Sequence, residues 1–427
     1  MTRTAPYTVI SNGYSQFNTA HLAAEMHAKG MLAGLITGGY PRPGEARRTP
    51  WGRFGPYRRY RSRRVAVPDD LIWPIWSGEA LSQASQLMWR LHVAETLQSA
   101  IARASLVRYQ HLAADLLRHK VPNQGTIYHY RSGFGGISVE AARDLGMKTL
   151  CDHSIVHPSV LGSIIMSGGR LPVACPKSTV NSFWRTVEAD LLLADIILVN
   201  SHFVRETFLM CGIASERLQV IYWGPDTTFL NSLDSLPASS LARSSNDRIR
   251  LLTAGTMEER KGTHILAMAL EAVSGVGLDV HLAGNWHRRM PRHRQRLESM
   301  PHVRLDPNLD RDRLAEAMVA ADVFVFPTLA EGSARVVFEA MAAGCYVITT
   351  PNAGSIVQDG VNGRLVEPGN VAELCAAIEE AQADPARVRE IGRINALTVR
   401  RDYAPAIYAR RVAELYESLL SDGSQRS

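Results

Sequence analysis

The sequence predicts an α/β protein of two domains of similar size, each built round a parallel sheet, with a cleft between them. Three observations carry that expectation. Short apolar runs alternate with helical patterns over most of the 427 residues, the signature of βαβ units. The alternation breaks at residues 231–247 (NSLDSLPASSLARSSND), a serine-rich stretch with a proline that reads as a surface linker, and then restarts. The length suits two or three domains at roughly 150 residues each.

In order along the chain, residues 7–11 (YTVIS) form the first strand candidate. Asn12-Gly13 turns the chain, and a helical pattern over 19–29 ends at Gly30. Further strand candidates lie at 33–37, 126–130, 148–152, 196–200 and 219–222. Residues 80–120 break the rhythm with a leucine- and alanine-rich helical pattern, one or two long helices for packing on the sheet. After the linker, strand candidates recur at 250–254, 278–283, 303–306, 323–326 and 346–349, and 405–420 is an amphipathic helix. The expected units are residues 1–230, the linker 231–247, a second domain at 248–402, and a C-terminal helix at 403–427 packing back on the first domain. Open α/β sheets bind ligands beyond the carboxyl ends of their strands, so functional residues should follow strands directly.

Composition narrows the class. With 46% apolar and 21% charged residues the chain is ordinary globular material, not a disordered or collagenous one. The five cysteines are odd in number, and none is at C-x-x-C spacing, so neither a disulfide framework nor a zinc site is expected. The N-terminus shows no signal-peptide pattern, and no run of about 18 apolar residues occurs. The expectation is a cytoplasmic protein. The net charge is +6, and its excess is local: residues 42–64 hold nine arginines and one acid, Glu45, for a balance of +8, leaving −2 elsewhere. Trp51, Phe54, Tyr57 and Tyr60 are interleaved with these arginines. An anionic membrane surface or anionic acceptor is the favoured partner of this arm, ahead of a plain solvated loop, with nucleic acid last.

The most informative segment is Glu331-Gly-Ser-Ala-Arg-Val-Val-Phe-Glu339, which follows the strand at 323–326. A helix starting near Ala334 would point free backbone N–H groups into the preceding loop, where they attract an anion. Glu339 would then lie about 7 Å further along that helix. Two carboxylates thus bracket an anion site, matching a nucleotide diphosphate sugar: sugar hydroxyls at one acid, ribose diol at the other, diphosphate between. Glu339 is the only polar residue in 336–343 (VVFEAMAA), and a buried carboxylate needs partners. The second segment, Ala254-Gly-Thr-Met-Glu-Glu-Arg260-Lys261-Gly262, follows a strand and opens a helix, placing a lysine where leaving-group charge would develop. Asp310-Arg-Asp312 has D-x-D form, but its place before a helical run fits capping better than metal binding.

Together the two segments resemble the retaining glycosyltransferases of family 4 (GT4, glycosyltransferase group 1), which have the GT-B architecture of two Rossmann-like domains. The resemblance extends to 189–201 (ADLLLADIILVNS), to Tyr222-Trp-Gly-Pro-Asp226, to 321–327 (ADVFVFP), to Gly354 and to Asp359-Gly-Val-Asn-Gly363. It implies that Glu331 contacts the donor sugar, that Glu339 holds the ribose, and that Lys261 binds the diphosphate with backbone groups around Ser333, Ala334 and Val336. It also implies a histidine beside sugar and acceptor after the strand at 148–152, which maps to His153; His129 and His157 are weaker alternatives. Gly13 and the Gly133-Phe-Gly-Gly136 loop are candidates for close approach to phosphate or acceptor. Two departures stand out. The family's arginine after the first glycine is replaced by Thr256, leaving Arg260 as a candidate second cation. Arg335 occupies a position from which it could meet a phosphate or an acidic sugar, or simply face solvent. The expectation is a hexosyltransferase-type glycosyltransferase using a nucleotide-sugar donor, a glycan or lipid-linked acceptor and no required metal. The alternatives are a GT-B-fold binding protein with weak catalysis, favoured by Thr256, and an epimerase or phosphorylase on the same fold.

Overall fold

The computed structural model describes residues 7–14, 18–41, 63–91, 95–121, 126–177, 182–237, 248–288 and 290–424. The basic arm, apart from Arg63 and Arg64, lies outside the described residues, as does 238–247 of the predicted linker.

Two parallel sheets organise the chain. The first contains β1 (Thr8–Ser11), β2 (Leu32–Thr37), β3 (Ile72–Pro74), β4 (Ile127–Arg131), β5 (Lys148–His153), β6 (Ile196–Val199) and β7 (Leu218–Val220). Its order is β3-β2-β1-β4-β5-β6-β7, and every pairing is parallel. The second contains β8 (Ile249–Ala254), β9 (Leu278–Ala283), β10 (Val303–Asp306), β11 (Val323–Phe326), β12 (Tyr346–Thr349) and β13 (Gly363–Leu365), in the order β10-β9-β8-β11-β12-β13. In both sheets the order reverses beside the first strand of the domain, which opens a crevice at the carboxyl ends of the strands. The central strands β1, β8 and β11 are almost wholly buried, and β11 (VFVF) is apolar throughout, as a sheet covered by helices on both faces favours.

Two of the four edge strands, β3 and β13, were not expected from sequence. Each has three residues, and Pro74 and Gly363 hide the strand pattern. The first part of the predicted linker is also corrected. Residues Thr227–Ser235 form a helix capped by Asp226, whose carboxylate accepts the Phe229 N–H at 2.8 Å. Phe229 and Leu233, one turn apart, are buried in the second domain's core, so tertiary packing overrides the serine-rich composition. The region 80–120 is two helices, Trp76–Arg90 and Glu95–Lys120.

Cys175 and Cys211 form a disulfide, against the expectation of none. They are 36 residues apart, and only the tertiary fold brings them together. The helix Pro405–Ser424 packs on the first sheet: Tyr408, Val412 and Tyr416 join Ile10, Leu22 and Leu150 in one apolar cluster. Tyr416 meets His129 Nδ1 at 2.6 Å beneath that helix, which places His129 in the core. Among the described residues no helix is long and apolar enough to cross a membrane.

Candidate functional site

The loop after β11 and the helix Arg335–Ala342 form one wall of a cavity of about 410 Å3. Lys261, Glu331, Ser333, Ala334, Arg335, Val336 and Glu339 all line it, together with Trp223, Gly255, Asn308, Leu309, Arg311 and Phe326. The paired glutamates therefore open on a shared crevice. Ala334 is the N-cap residue and gives the helix no side-chain cap. Its own N–H is used by the Ala353 carbonyl at 2.9 Å, and the Val337 N–H bonds back to the Ala334 carbonyl at 2.9 Å. The N–H groups of Arg335 and Val336 find no acceptor among the described residues, as expected at a helix start. The Ser333 hydroxyl is buried and equally without a partner. Unmet donors facing a cavity suit an anionic ligand.

Lys261 is presented by a short 3-10 turn, Glu259–Lys261. Gly262 ends that turn at φ 69°, and a Cβ there would fall 1.9 Å from the Pro327 carbonyl oxygen, so only glycine fits. The Lys261 ammonium has no carboxylate partner among the described residues and lies 5.7 Å from the centre of the Phe326 ring. Gly255, at φ 125°, leaves it room: a Cβ there would sit 3.2 Å from Nζ.

Each glutamate is held by its own arginine. Arg260 Nη1 lies 2.8 Å from Glu331 and bonds the Ala330 carbonyl at 2.7 Å, while Nη2 bonds Glu258 at 2.8 Å. Arg260 does not line the cavity; it clamps Glu331 instead. Glu339 is buried and bonds Arg311 Nη1 at 2.7 Å, and Arg311 Nη2 reaches Asp226. Burial pushes the Glu339 carboxyl above its usual range, and Arg311 opposes that shift. Arg311 was overlooked in the sequence because it stands between Asp310 and Asp312. Those two acids face elsewhere: Asp310 caps the helix Arg311–Ala320 by accepting the Arg313 N–H at 3.0 Å, and Asp312 accepts Ser232 Oγ at 2.6 Å. Trp223 and Asp226 belong to the segment Tyr222–Asp226, for which the family resemblance implies no role.

The remaining candidates lie outside the cavity. Thr256 is exposed and does not line it. Gly13, at φ 75°, approaches the protein rather than a ligand: a Cβ would strike the Phe134 ring at 2.7 Å, and its N–H bonds Tyr109 Oη at 3.1 Å. The Gly133-Phe-Gly-Gly136 loop spends three N–H groups on the Asp190 carboxylate, at 2.7, 2.8 and 2.7 Å. His153 ends β5, faces inward, and meets Ser132 Oγ through Nδ1 at 2.9 Å. Its Nε2 has no hydrogen-bond partner among the described residues, and burial, aided by Arg131 and His157, lowers its pKa to about 3. His157 Nδ1 caps the next helix, accepting the Ser159 N–H at 3.3 Å.

The first domain reaches the cavity wall next to His153. A Cβ on Gly332 would lie 1.8 Å from the Ser154 carbonyl oxygen, and Ser201 Oγ donates to the Gly332 carbonyl. Arg335 bonds Asn18 at the start of the first domain's helix Asn18–Ala28.

Residues 248–384 match the family model described as glycosyl transferases group 1. The chain is 26% identical over 254 residues to D-inositol 3-phosphate glycosyltransferase 1 of Catenulispora acidiphila, covering 56% of this chain and 60% of that protein. It is 30% identical over 136 residues to the lipopolysaccharide core biosynthesis glycosyltransferase LpsE of Rhizobium meliloti, covering 31% and 39%. The match thus spans 39% to 60% of the length of these relatives. Among solved structures, a glycosyltransferase from Rickettsia africae aligns with a TM-score of 0.65 at 14% identity, over 98% of this chain and 99% of the other. Anabaena HepE in complex with UDP and glucose aligns with a TM-score of 0.62 at 15% identity, over 96% and 100%. The chain therefore has the GT-B fold of glycosyltransferases.

Proposed function

We propose that the protein is a retaining glycosyltransferase of the GT4 type. It moves a hexose from a nucleotide diphosphate sugar to a hydroxyl of a glycan or lipid-linked acceptor. The observation that carries this reading is the cavity after β11: an ammonium, a buried hydroxyl and two helix N–H groups, all unpaired among the described residues, line it together with two oriented carboxylates. The donor diphosphate sits at the helix start. Glu331 takes sugar hydroxyls, and Glu339 takes the ribose diol. UDP in the HepE structure supports a nucleotide donor.

Lys261 and the N–H groups of Arg335 and Val336 neutralise charge as the nucleoside diphosphate leaves, and they need no metal for it. The acceptor hydroxyl approaches from the first domain, on the face the diphosphate vacates. The departing phosphate takes the hydroxyl proton, so no separate carboxylate base is required. His153, uncharged at neutral pH, backs the wall next to Ser154 rather than exchanging protons. Domain contact at Gly332 and Ser154 excludes water and limits donor hydrolysis. The arm at 42–64 would bring the enzyme to an anionic membrane surface on the cytoplasmic side.

Two measurements test the reading. A thermal-shift screen against UDP, GDP and ADP and their sugars should find one stabilising series; a ligand at 100 times its Kd adds about 2.7 kcal/mol. Lys261→Ala should cut turnover by orders of magnitude while leaving stability within about 0.5 kcal/mol, since no ion pair is lost. Near-normal turnover in Lys261→Ala would refute the assignment.

A further inference from the structure

This inference builds on the reading of the cavity as a diphosphate site. A diphosphate brings an anionic charge on each phosphoryl group, yet of four cations near the cavity two are already committed. Arg260 is fixed between Glu331, Glu258 and the Ala330 carbonyl. Arg311 is fixed between Glu339 and Asp226. Lys261 supplies one uncommitted charge.

Arg335 differs from both arginines. It lines the cavity from the first helical position, directly beside the two free N–H groups. Its guanidinium meets Asp226 only at 3.4 Å, lies 6.0 Å from the centre of the Trp223 ring, and bonds the neutral amide oxygen of Asn18. Asp226 does not depend on it. One Asp226 oxygen accepts the Phe229 N–H, and the other is taken by Arg311. Arg335 can therefore leave Asn18 and Asp226 without stranding a buried charge. Its planar fork matches a phosphate better than it matches an amide oxygen.

We propose that Arg335 is the second diphosphate-binding cation, filling the role for which Thr256 and Arg260 are unsuited. On donor binding the guanidinium transfers from Asn18 to the diphosphate. Since Asn18 belongs to the first domain, the transfer also releases one bond across the domain boundary.

The test is isothermal titration of wild type, Arg335→Ala, Arg335→Lys and Asn18→Ala. The probes are UDP, GDP and ADP, each paired with its nucleoside. For the diphosphate that wild type binds, Arg335→Ala should weaken affinity about tenfold to a hundredfold while nucleoside affinity holds. Arg335→Lys should recover part of the loss, and Asn18→Ala should bind as well as wild type or better. The proposal is overturned if Arg335→Ala stays within about threefold of wild type, a loss too small for a charge-assisted bond. Equal losses for nucleoside and diphosphate would also overturn it. So would an Asn18→Ala variant that reproduces the Arg335→Ala loss, because Arg335 would then act as an interdomain strap. If wild type binds none of the three diphosphates, the underlying reading of the cavity falls instead, and this proposal with it.

Discussion

Arg311→Ala should expose how much the buried glutamate depends on its partner, and the effect should be strongly pH-dependent. Glu339 is 3% exposed, and Arg311 Nη1 at 2.7 Å is its hydrogen-bonding partner. Removing one member of a buried pair costs about 3–5 kcal/mol, because a charge is left uncompensated. The Arg311 side chain is 37% exposed, so water screens part of this, and we expect about 2 kcal/mol at pH 7. The direction with pH follows from the carboxyl. Burial already holds the Glu339 pKa above its ordinary 4.5, and losing Arg311 raises it further. A group whose pKa is higher folded than unfolded contributes stability that is fully present below the unfolded value. That contribution is lost as pH rises through the folded value. The Arg311→Ala penalty should thus be small at pH 4.5 and grow toward neutrality. Adding Glu339→Gln removes the stranded charge and should recover at least half of the loss at pH 7. Urea denaturation of wild type, both single variants and the double variant at pH 4.5, 6 and 7.5 measures this. A penalty independent of pH, or a double variant no more stable than Arg311→Ala, would refute the reasoning.

Two further outcomes follow from the geometry. His153, with a pKa near 3 against an ordinary 6.5, stabilises the fold above pH 6.5, and that stability is lost as pH falls toward 3. His153→Gln should flatten the stability profile between pH 6.5 and 4, by on the order of 3 kcal/mol at the acid end, in the same denaturation series. An unchanged slope would show that another group titrates there. Gly332→Ala puts a methyl group 1.8 Å from the Ser154 carbonyl oxygen, so the domains must separate locally. Small-angle scattering should report a larger radius of gyration and assays a lower turnover, with the isolated sheets intact by circular dichroism; an unchanged radius with full activity would count against a closed interface.

Much of the fold was legible because parallel sheets write themselves as buried apolar runs. β8, β9, β10, β11 and β12 match their expected spans to within a residue. What escaped was short or non-local. β3 and β13 are three-residue edges, too brief for a period to register. The Cys175–Cys211 bond joins a loop to the residue after the helix His202–Met210, a pairing that no spacing rule encodes. In the site, Glu331 and Glu339 could be seen together because one loop and one helix carry both. Arg311 could not, since its partners Glu339 and Asp226 lie 28 and 85 residues away. A faint signal existed: a basic residue in the first turn of a helix, where the dipole disfavours it, suggests an acidic partner from elsewhere. The glycines misled in the opposite direction. Gly13 and the loop at 133–136 look like ligand-approach positions, but the space at Gly13 is filled by Phe134, that at Gly135 and Gly136 by Tyr130 and Gln110, and their N–H groups are taken by Tyr109 and Asp190.

The arrangement around Lys261 has a consequence for how the site works as a unit. The turn that presents the free ammonium carries Arg260 next to it, and that residue is stitched to the β11 loop three ways. Its carbonyl accepts the Leu329 N–H at 2.8 Å and Thr328 Oγ1 at 3.0 Å, and its guanidinium bonds the Ala330 carbonyl at 2.7 Å. The same guanidinium orients Glu331. The Lys261 ammonium and the Glu331 carboxylate are therefore mounted on one joint between two loops of the second domain. Such a joint fixes their separation before any ligand arrives, and this is the preorganisation that electrostatic stabilisation of a leaving group requires. On the proposed reading, Arg260 would serve the reaction through position rather than contact. With Arg260 turned toward Glu331, the second cation for a diphosphate would, on that reading, be Arg335 at the helix start.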